Sequence, residues 1–338
     1  MVKAKPPGLM RPVKIAGLAT YVPPNVLTNA DLEKLVETSN EWILQRTGIR
    51  ERHIVEKGQG TSDLAEPAAR QAIREAGITP EDIGFIVVGT TTPDTIFPST
   101  ACTLQAKIGA VNAWGFDLGA ACSGFVYSMS VAYQMVATGA CEHALVVGGD
   151  VMSSIIDYKD RATCILFGDG AGAAVLSPAA EGEPGIIDFT HEIDGHGGQA
   201  LMMPAGGSKR PASHETVDER LHFVKQDGQT VFKFAVKKNQ EIALRLLDRN
   251  KLEGSDLDLY VSHQANRRII EATAERLGLG MDKVVINLEM FGNTTAGTIP
   301  LALADARRSG RLKKGDLVLL ASVGAGFTVG SVLLRWSL

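Results

Sequence analysis

The chain repeats itself. The stretch Asp82-Ile83-Gly84-Phe85-Ile86-Val87-Val88 returns as Asp256-Leu257-Asp258-Leu259-Tyr260-Val261-Ser262, an offset of 174 residues (256 less 82). The stretch ending in Asp117-Leu118 returns as one ending in Asn287-Leu288, an offset of 170 (287 less 117). Leu145-Val146-Val147 returns as Val318-Leu319-Leu320, an offset of 173 (318 less 145). Near-constant offsets with the same order of elements mark a duplicated unit. The join falls in the turn-rich Ser177–Gly185, which divides the chain into halves 1–180 and 181–338.

Each half alternates apolar runs with helical patterns, so the fold class is α/β. The expected strands are Val13–Gly17, Ile83–Gly89, Trp114–Leu118, Ala144–Gly149 and Ala171–Leu176, then Leu257–Ser262, Val284–Leu288, Leu317–Ser322 and Thr328–Leu334. The expected helices are Ser62–Ala76, Ser99–Ile108, Gly124–Thr138, Val236–Arg249, Arg267–Leu277 and Thr298–Ser309. Only Thr190–Gly228 breaks the alternation. It is polar and rich in Gly and Pro, and reads as an excursion over one face of the second half.

Composition narrows the function. The net charge of −4 sets up no general attraction for nucleic acid or an anionic membrane. No run approaches the ~20 apolar residues of a membrane span. The basic segment Met1–Pro12 lacks the apolar stretch of a secretion signal, so the expected compartment is the cytoplasm. The four cysteines form no Cys-x-x-Cys pair, and no histidine lies at ligand spacing from them, so no metal site is expected. Cys102, Cys141 and Cys164 lie in or beside apolar elements and read as small buried residues.

Cys122 differs. In Asp117-Leu118-Gly119-Ala120-Ala121-Cys122-Ser123-Gly124-Phe125 a strand ends, small residues turn, and a long apolar helix follows. This sets the thiol at a helix N-terminus, where free N–H groups favour the thiolate. His263 directly follows the strand ending at Ser262. Asn293, in Phe291-Gly292-Asn293-Thr294-Thr295, holds nearly the place in the second copy that Cys122 holds in the first. Across a pseudo-twofold axis the two turns face each other, at the strand ends where α/β ligands gather. A sulfur nucleophile can take an acyl group from a thioester. A neutral imidazole N–H and an amide N–H can then steady the charge released when a malonyl thioester loses CO2. Phe167-Gly168-Asp169-Gly170 lacks the following helix and lysine of a phosphate loop and reads as a tight strand entry. In Ser322-Val323-Gly324-Ala325-Gly326-Phe327 small residues allow a close backbone approach, so the N–H groups of Cys122 and Ala325 are candidates for an oxyanion hole.

Together Asp117–Phe125, Ser262–Asn266, Gly292–Thr295, Phe167–Ala173 and Gly324–Phe327 resemble the signature segments of the β-ketoacyl-acyl-carrier-protein synthase III family, over a likeness from about Val13 to the C-terminus. The resemblance implies a thiolase-like fold, with duplicated halves in five layers (αβαβα), and a homodimer. It implies condensation of an acyl-CoA starter with malonyl-acyl carrier protein, with Cys122 acylated, His263 and Asn293 assisting, and no cofactor beyond the substrates. Trp42, Arg46 and Arg161 resemble positions that hold the CoA nucleotide, and Gln229 and Asn266 positions along the pantetheine. Phe97 resembles the residue that closes the acyl pocket of the neighbouring subunit. Lys233, Arg267 and Arg268 form a candidate patch for an acidic carrier protein. Relatives with the same three polar groups perform quinolone-type or head-to-head acyl condensations or acyl transfer, and papain-like hydrolases also use Cys, His and Asn. A non-catalytic module binding the carrier protein is a further alternative.

Overall fold

The computed structural model describes residues 10–338. Most of the basic N-terminal segment lies outside the described residues. Two sheets carry the molecule. The first contains β1 (Val13–Tyr21), β2 (Ile83–Gly89), β3 (Trp114–Leu118), β4 (His143–Asp150) and β5 (Gly170–Pro178), in the order β1-β5-β4-β2-β3. The second contains β6 (Ile186–Ile193), β7 (Leu259–Ser262), β8 (Leu317–Gly324) and β9 (Thr328–Arg335), in the order β6-β9-β8-β7. In the first sheet β3, β2 and β4 run parallel, and β5 runs antiparallel to both β4 and β1. The second repeats this with β7 parallel to β8, and with β9 antiparallel to both β8 and β6. The two orders superpose term by term, except that β3 has no counterpart.

The helices complete five layers. Those used below are α1 (Asn40–Thr47), α2 (Thr61–Glu75), α3 (Thr100–Ile108), α4 (Gly124–Ala137), α5 (Gly228–Arg249), α6 (Arg267–Arg276) and α7 (Thr298–Arg308). Helices α2 and α3 cover the outside of the first sheet, and α5 and α6 cover the second. Between the sheets lie α4 and α7, each touching both. Phe125, Met129 and Val136 of α4 pack among Val87 and Val146 of one sheet and Leu320 and Val332 of the other. This central position explains why α4 is apolar all round, and why β4 and β8, covered on both faces, read as unbroken apolar runs.

The duplication is regular at the site. A short 3-10 turn, Ala121–Ser123, feeds α4, and its twin Thr295–Gly297 feeds α7, 174 residues later (295 less 121). Both turns open on a left-handed residue, Ala121 at φ 47° and Thr295 at φ 48°. Register therefore pairs Cys122 with Ala296, and Asn293 stands just ahead of the matching turn.

The sequence reading missed in four places. Val284–Leu288 is not a strand. It makes one bridge, Tyr260 to Val284, and a helical turn begins at Leu288. Side chains occupy the groups a ladder needs: Arg311 donates to the Val284 carbonyl, Gln264 donates to the Val285 carbonyl, and the Gln264 oxygen takes the Asn287 N–H. The polar excursion begins later than expected, because Thr190–Ile193 completes β6 against β9. Helix α5 begins at Gly228, not Val236. The Asp227 carboxylate caps it from the N–H groups of Gln229 and Thr230 and outweighs the helix-weakening glycine. Cys102 is also exposed, on the outer side of the first turn of α3.

Candidate active site

Cys122, His263 and Asn293 line one cavity where the halves meet, together with Gly324, Ala325 and Phe327. All three named side chains are buried. Their placement follows from bonds between the halves. The Cys122 carbonyl accepts from Ser322 Oγ at 2.8 Å, and the Ala120 carbonyl accepts from Thr328 Oγ1 at 2.8 Å, so the Cys122 turn is stapled to the β8–β9 hairpin. A Cβ at Gly324 would stand 2.7 Å from the Ala120 oxygen and 2.9 Å from the Cys122 nitrogen. Only glycine lets the hairpin approach so closely, and that approach brings Ala325 to the cavity.

Asn293 is held on both sides of its backbone. Its N–H donates to the Leu166 carbonyl at 2.9 Å, and its carbonyl accepts from Gly168 N–H at 3.1 Å. The strand entry at Phe167-Gly168 thus has a second task, carrying Asn293. The Asn293 side-chain oxygen accepts from Thr295 N–H at 2.9 Å. With its oxygen occupied, the amide has its N–H groups free for the cavity.

His263 Nδ1 lies 2.7 Å from Thr298 Oγ1. The hydroxyl also reaches the Thr295 carbonyl at 3.0 Å, which takes the Thr298 backbone N–H as well. With the hydroxyl proton turned to Nδ1, the tautomer assigned to the ring carries its own proton on Nε2. Burial holds the imidazole pKa down to about 3, so the ring is neutral. Burial pushes the Cys122 thiol up to about 12, and the Asp150 carboxylate adds to the rise. Desolvation thus overrides the thiolate preference expected at a helix N-terminus, and the resting site holds a thiol beside a neutral imidazole.

Outside this chamber lies a surface cavity walled by Arg46, Gln229, Phe232, Asn266 and Arg268. Phe232 and Asn266 also line the inner chamber, which joins the two. The guanidinium carbons of Arg46 and Arg161 lie 5.6 and 5.0 Å from the Trp42 ring centroid. An aromatic face with two fixed cations suits a nucleotide phosphate. Asn266 caps α6, accepting from Arg268 N–H, and donates to the Arg46 carbonyl at 2.9 Å, so its amide is engaged in fixing Arg46. Lys233 lies on α5, and Arg267 and Arg268 lie on the adjoining α6. Arg267 is paired with Glu271, and Arg268 lies over Phe232.

A second apolar cavity opens on the other side of Cys122, lined by Met152, Ile155, Leu201, Met202, Met203 and Val224. Sequence reasoning missed these residues. Their one signal was the Thr190–Gly228 excursion, which supplies four of the six. Thr298 was also missed, since nothing local shows that its hydroxyl meets a ring 35 residues away. Phe97 lines none of these cavities and is 84% exposed.

Fold and site together define a condensing enzyme of the thiolase-like class. Sequence profiles of 3-oxoacyl-(acyl-carrier-protein) synthase III match residues 116–195, and those of its C-terminal part match residues 247–336. The chain is 57% identical to β-ketoacyl-(acyl-carrier-protein) synthase III of Koribacter versatilis, over 97% of this chain and 99% of the relative. It is 56% identical to the protein of that name from Solibacter usitatus, over 97% of this chain and 100% of the relative. The crystal structure of the Pseudomonas aeruginosa PAO1 synthase III superposes with a TM-score of 0.90 at 40% identity, covering 97% of this chain and 99% of that one. The chain belongs to the β-ketoacyl-acyl-carrier-protein synthase III family and is an acyltransferase.

Proposed function

We propose that this chain joins an acyl-CoA starter to malonyl-acyl carrier protein and so opens fatty-acid synthesis. Cys122 sulfur attacks the thioester carbonyl, CoA leaves as its thiol with the cysteine proton, and an acyl-Cys122 remains. The N–H groups of Cys122 and Ala325 receive the oxyanion of this step. The malonyl thioester then loses CO2. His263 Nε2–H and the Asn293 amide N–H hold the charge on its thioester oxygen while the carbanion forms. That carbanion attacks the acyl carbonyl, Cys122 departs as a thiolate and takes up a proton from solvent, and 3-oxoacyl-acyl carrier protein is released. Loss of CO2 supplies the carbanion, so no cofactor is required.

Trp42, Arg46 and Arg161 receive the CoA nucleotide, Gln229 and Asn266 flank the pantetheine path, and the starter's tail enters the methionine-rimmed cavity. Lys233, Arg267 and Arg268 meet the carrier protein. We take residues 1–180 and 181–338 as the two halves, since each sheet draws its strands from one of them. The compartment is the cytoplasm; among the described residues no helix is long and apolar enough to cross a membrane. The chain works as a homodimer, with Phe97 closing the acyl pocket of the neighbouring subunit.

The observation that carries this reading is the joint exposure of Cys122, His263 and Asn293 to one buried chamber. The neutral ring and raised thiol also count against a papain-like hydrolase, which needs a thiolate–imidazolium pair. Intact-mass and peptide mapping after exposure to acetyl-CoA should place the acyl group on Cys122, and Cys122→Ser should abolish it. An acyl group on any other residue refutes the assignment.

A further inference from the structure

We infer that Asp150 is a positioning residue of the condensing site: its buried carboxylate locks the turn carrying Asn293 to the half that carries Cys122. This rests on the roles given above to Cys122 and Asn293.

Asp150 ends β4 and is fully buried. One carboxylate oxygen gathers the loop after β2. It accepts from Thr90 Oγ1 at 3.0 Å, Thr91 N–H at 2.7 Å, Thr91 Oγ1 at 2.9 Å, Thr92 N–H at 3.1 Å and Thr92 Oγ1 at 2.9 Å. The other oxygen reaches the second half, accepting from Thr295 Oγ1 and from Ala296 N–H at 3.3 Å. Thr295 N–H in turn holds the Asn293 side-chain oxygen. The chain of contact is therefore Asp150 to Thr295 to the Asn293 amide, with no solvent between.

Three features argue for more than packing. No cation pairs with Asp150 among the described residues. A buried carboxylate is costly without one, and converging neutral donors must replace its water. The carboxylate also breaks the duplication. The matching end of β8 is Gly324, so only the nucleophile half carries this charge. It clasps a left-handed Thr295, a conformation a β-branched residue does not hold unaided.

The charge reaches the sulfur as well, because it disfavours the Cys122 thiolate. The titratable groups facing Cys122 are Asp150 from β4 and the neutral His263 after β7. Those facing Asp150 are Cys122 and Asp169, before β5.

The test is Asp150→Asn in the full chain, with two readouts. One is the pH profile of Cys122 alkylation by iodoacetamide. The other is the ratio of CO2 release from malonyl-acyl carrier protein to acyl-enzyme formation from acetyl-CoA. The alkylation profile should move to lower pH by about one unit. The ratio should fall about 10-fold, since a displaced amide donor affects only the decarboxylation. A purely structural Asp150 would lower both half-reactions in proportion and leave the alkylation profile in place, and that result overturns the inference. Should Asp150→Asn fail to fold, Thr295→Ala removes the hydroxyl donor together with one methyl group. Its ratio should fall by about 3-fold or more, and an unchanged ratio is equally fatal. An acyl group found off Cys122 in the natural chain sinks the site reading and this inference with it. An acyl group on Cys122 with an unchanged ratio in the variants sinks this inference alone.

Discussion

His263 keeps its ring on the Thr298 hydroxyl at 2.7 Å, and burial holds its pKa down to about 3. In the proposed role the ring donates from Nε2 throughout the neutral range. Decarboxylation of malonyl-acyl carrier protein should therefore show no acid limb near the ordinary histidine pKa of 6.5, and the rate should stay flat from about pH 8 to 5.5. A half-maximal point near pH 6.5 that disappears in His263→Gln would contradict the neutral-donor role. The same burial acts on stability. The unfolded chain takes up a proton on this ring below about 6.5, and the folded chain only near 3. Its contribution is complete above 6.5 and is lost as the pH falls toward 3. Asn293 cannot ionise, so its deletion separates the half-reactions. Asn293→Ala should slow CO2 release by about 10²–10³-fold, the usual loss for one oxyanion donor, and leave acylation within a few-fold. Equal loss in both steps would show that the amide serves the acyl transfer instead.

At the scale of elements, the β8–β9 hairpin decides where Cys122 stands. The Cβ added by Gly324→Ala would strike backbone atoms, Ala120 O and Cys122 N, which cannot rotate away. The hairpin must retreat, taking Ala325 with it. We expect acyl-enzyme formation to slow by about 10-fold or more and stability to fall by about 1–3 kcal/mol. Stopped-flow acylation with mass detection, beside a thermal melt, checks both, and wild-type acylation would show that the close approach is not needed. The glycine turn was visible in the sequence, but its reason was not, because the atoms it avoids lie some 200 residues away. The same limit governs the other readings. Runs buried on both faces, such as Leu145-Val146-Val147, announced strands without ambiguity. Val284–Leu288 had the same look and failed, because Gln264 and Arg311 occupy its backbone groups. Cys122 was legible from its turn and His263 from its strand end. The Asp150 and Thr298 contacts were not, since a hydrogen bond across the halves leaves no local pattern.

For the molecule as a whole, the duplication was the legible fact, and the missing twin of β3 is the most consequential departure from it. β3 lies at the open edge of the first sheet, with no further strand beyond it among the described residues. It shows Trp114 and Phe116 to the outside, 55% and 37% exposed, both resting on the buried Phe85. Ile96 and Phe97 project nearby with 86% and 84% exposure. An unpaired edge with this much apolar surface invites a strand from another molecule. In the proposed homodimer a second copy is the expected source of that strand, β3 against β3 by a twofold axis, since self-complementary faces of this kind are the commonest route to a dimer. On the proposed reading, Phe97 closes the acyl pocket of the neighbouring subunit. Sedimentation should therefore give twice the chain mass of 35.9 kDa. Phe116→Lys, which sets two charges against each other across the axis, should yield monomers. Those monomers should lose turnover with long acyl-CoA starters while still melting cooperatively, because the substitution touches no part of the inner chamber. Phe97→Ala should instead remain dimeric and shift only the preferred starter length. Natural protein that sediments at a single chain mass, or a Phe116→Lys variant that stays paired, removes the β3 edge from consideration as the interface.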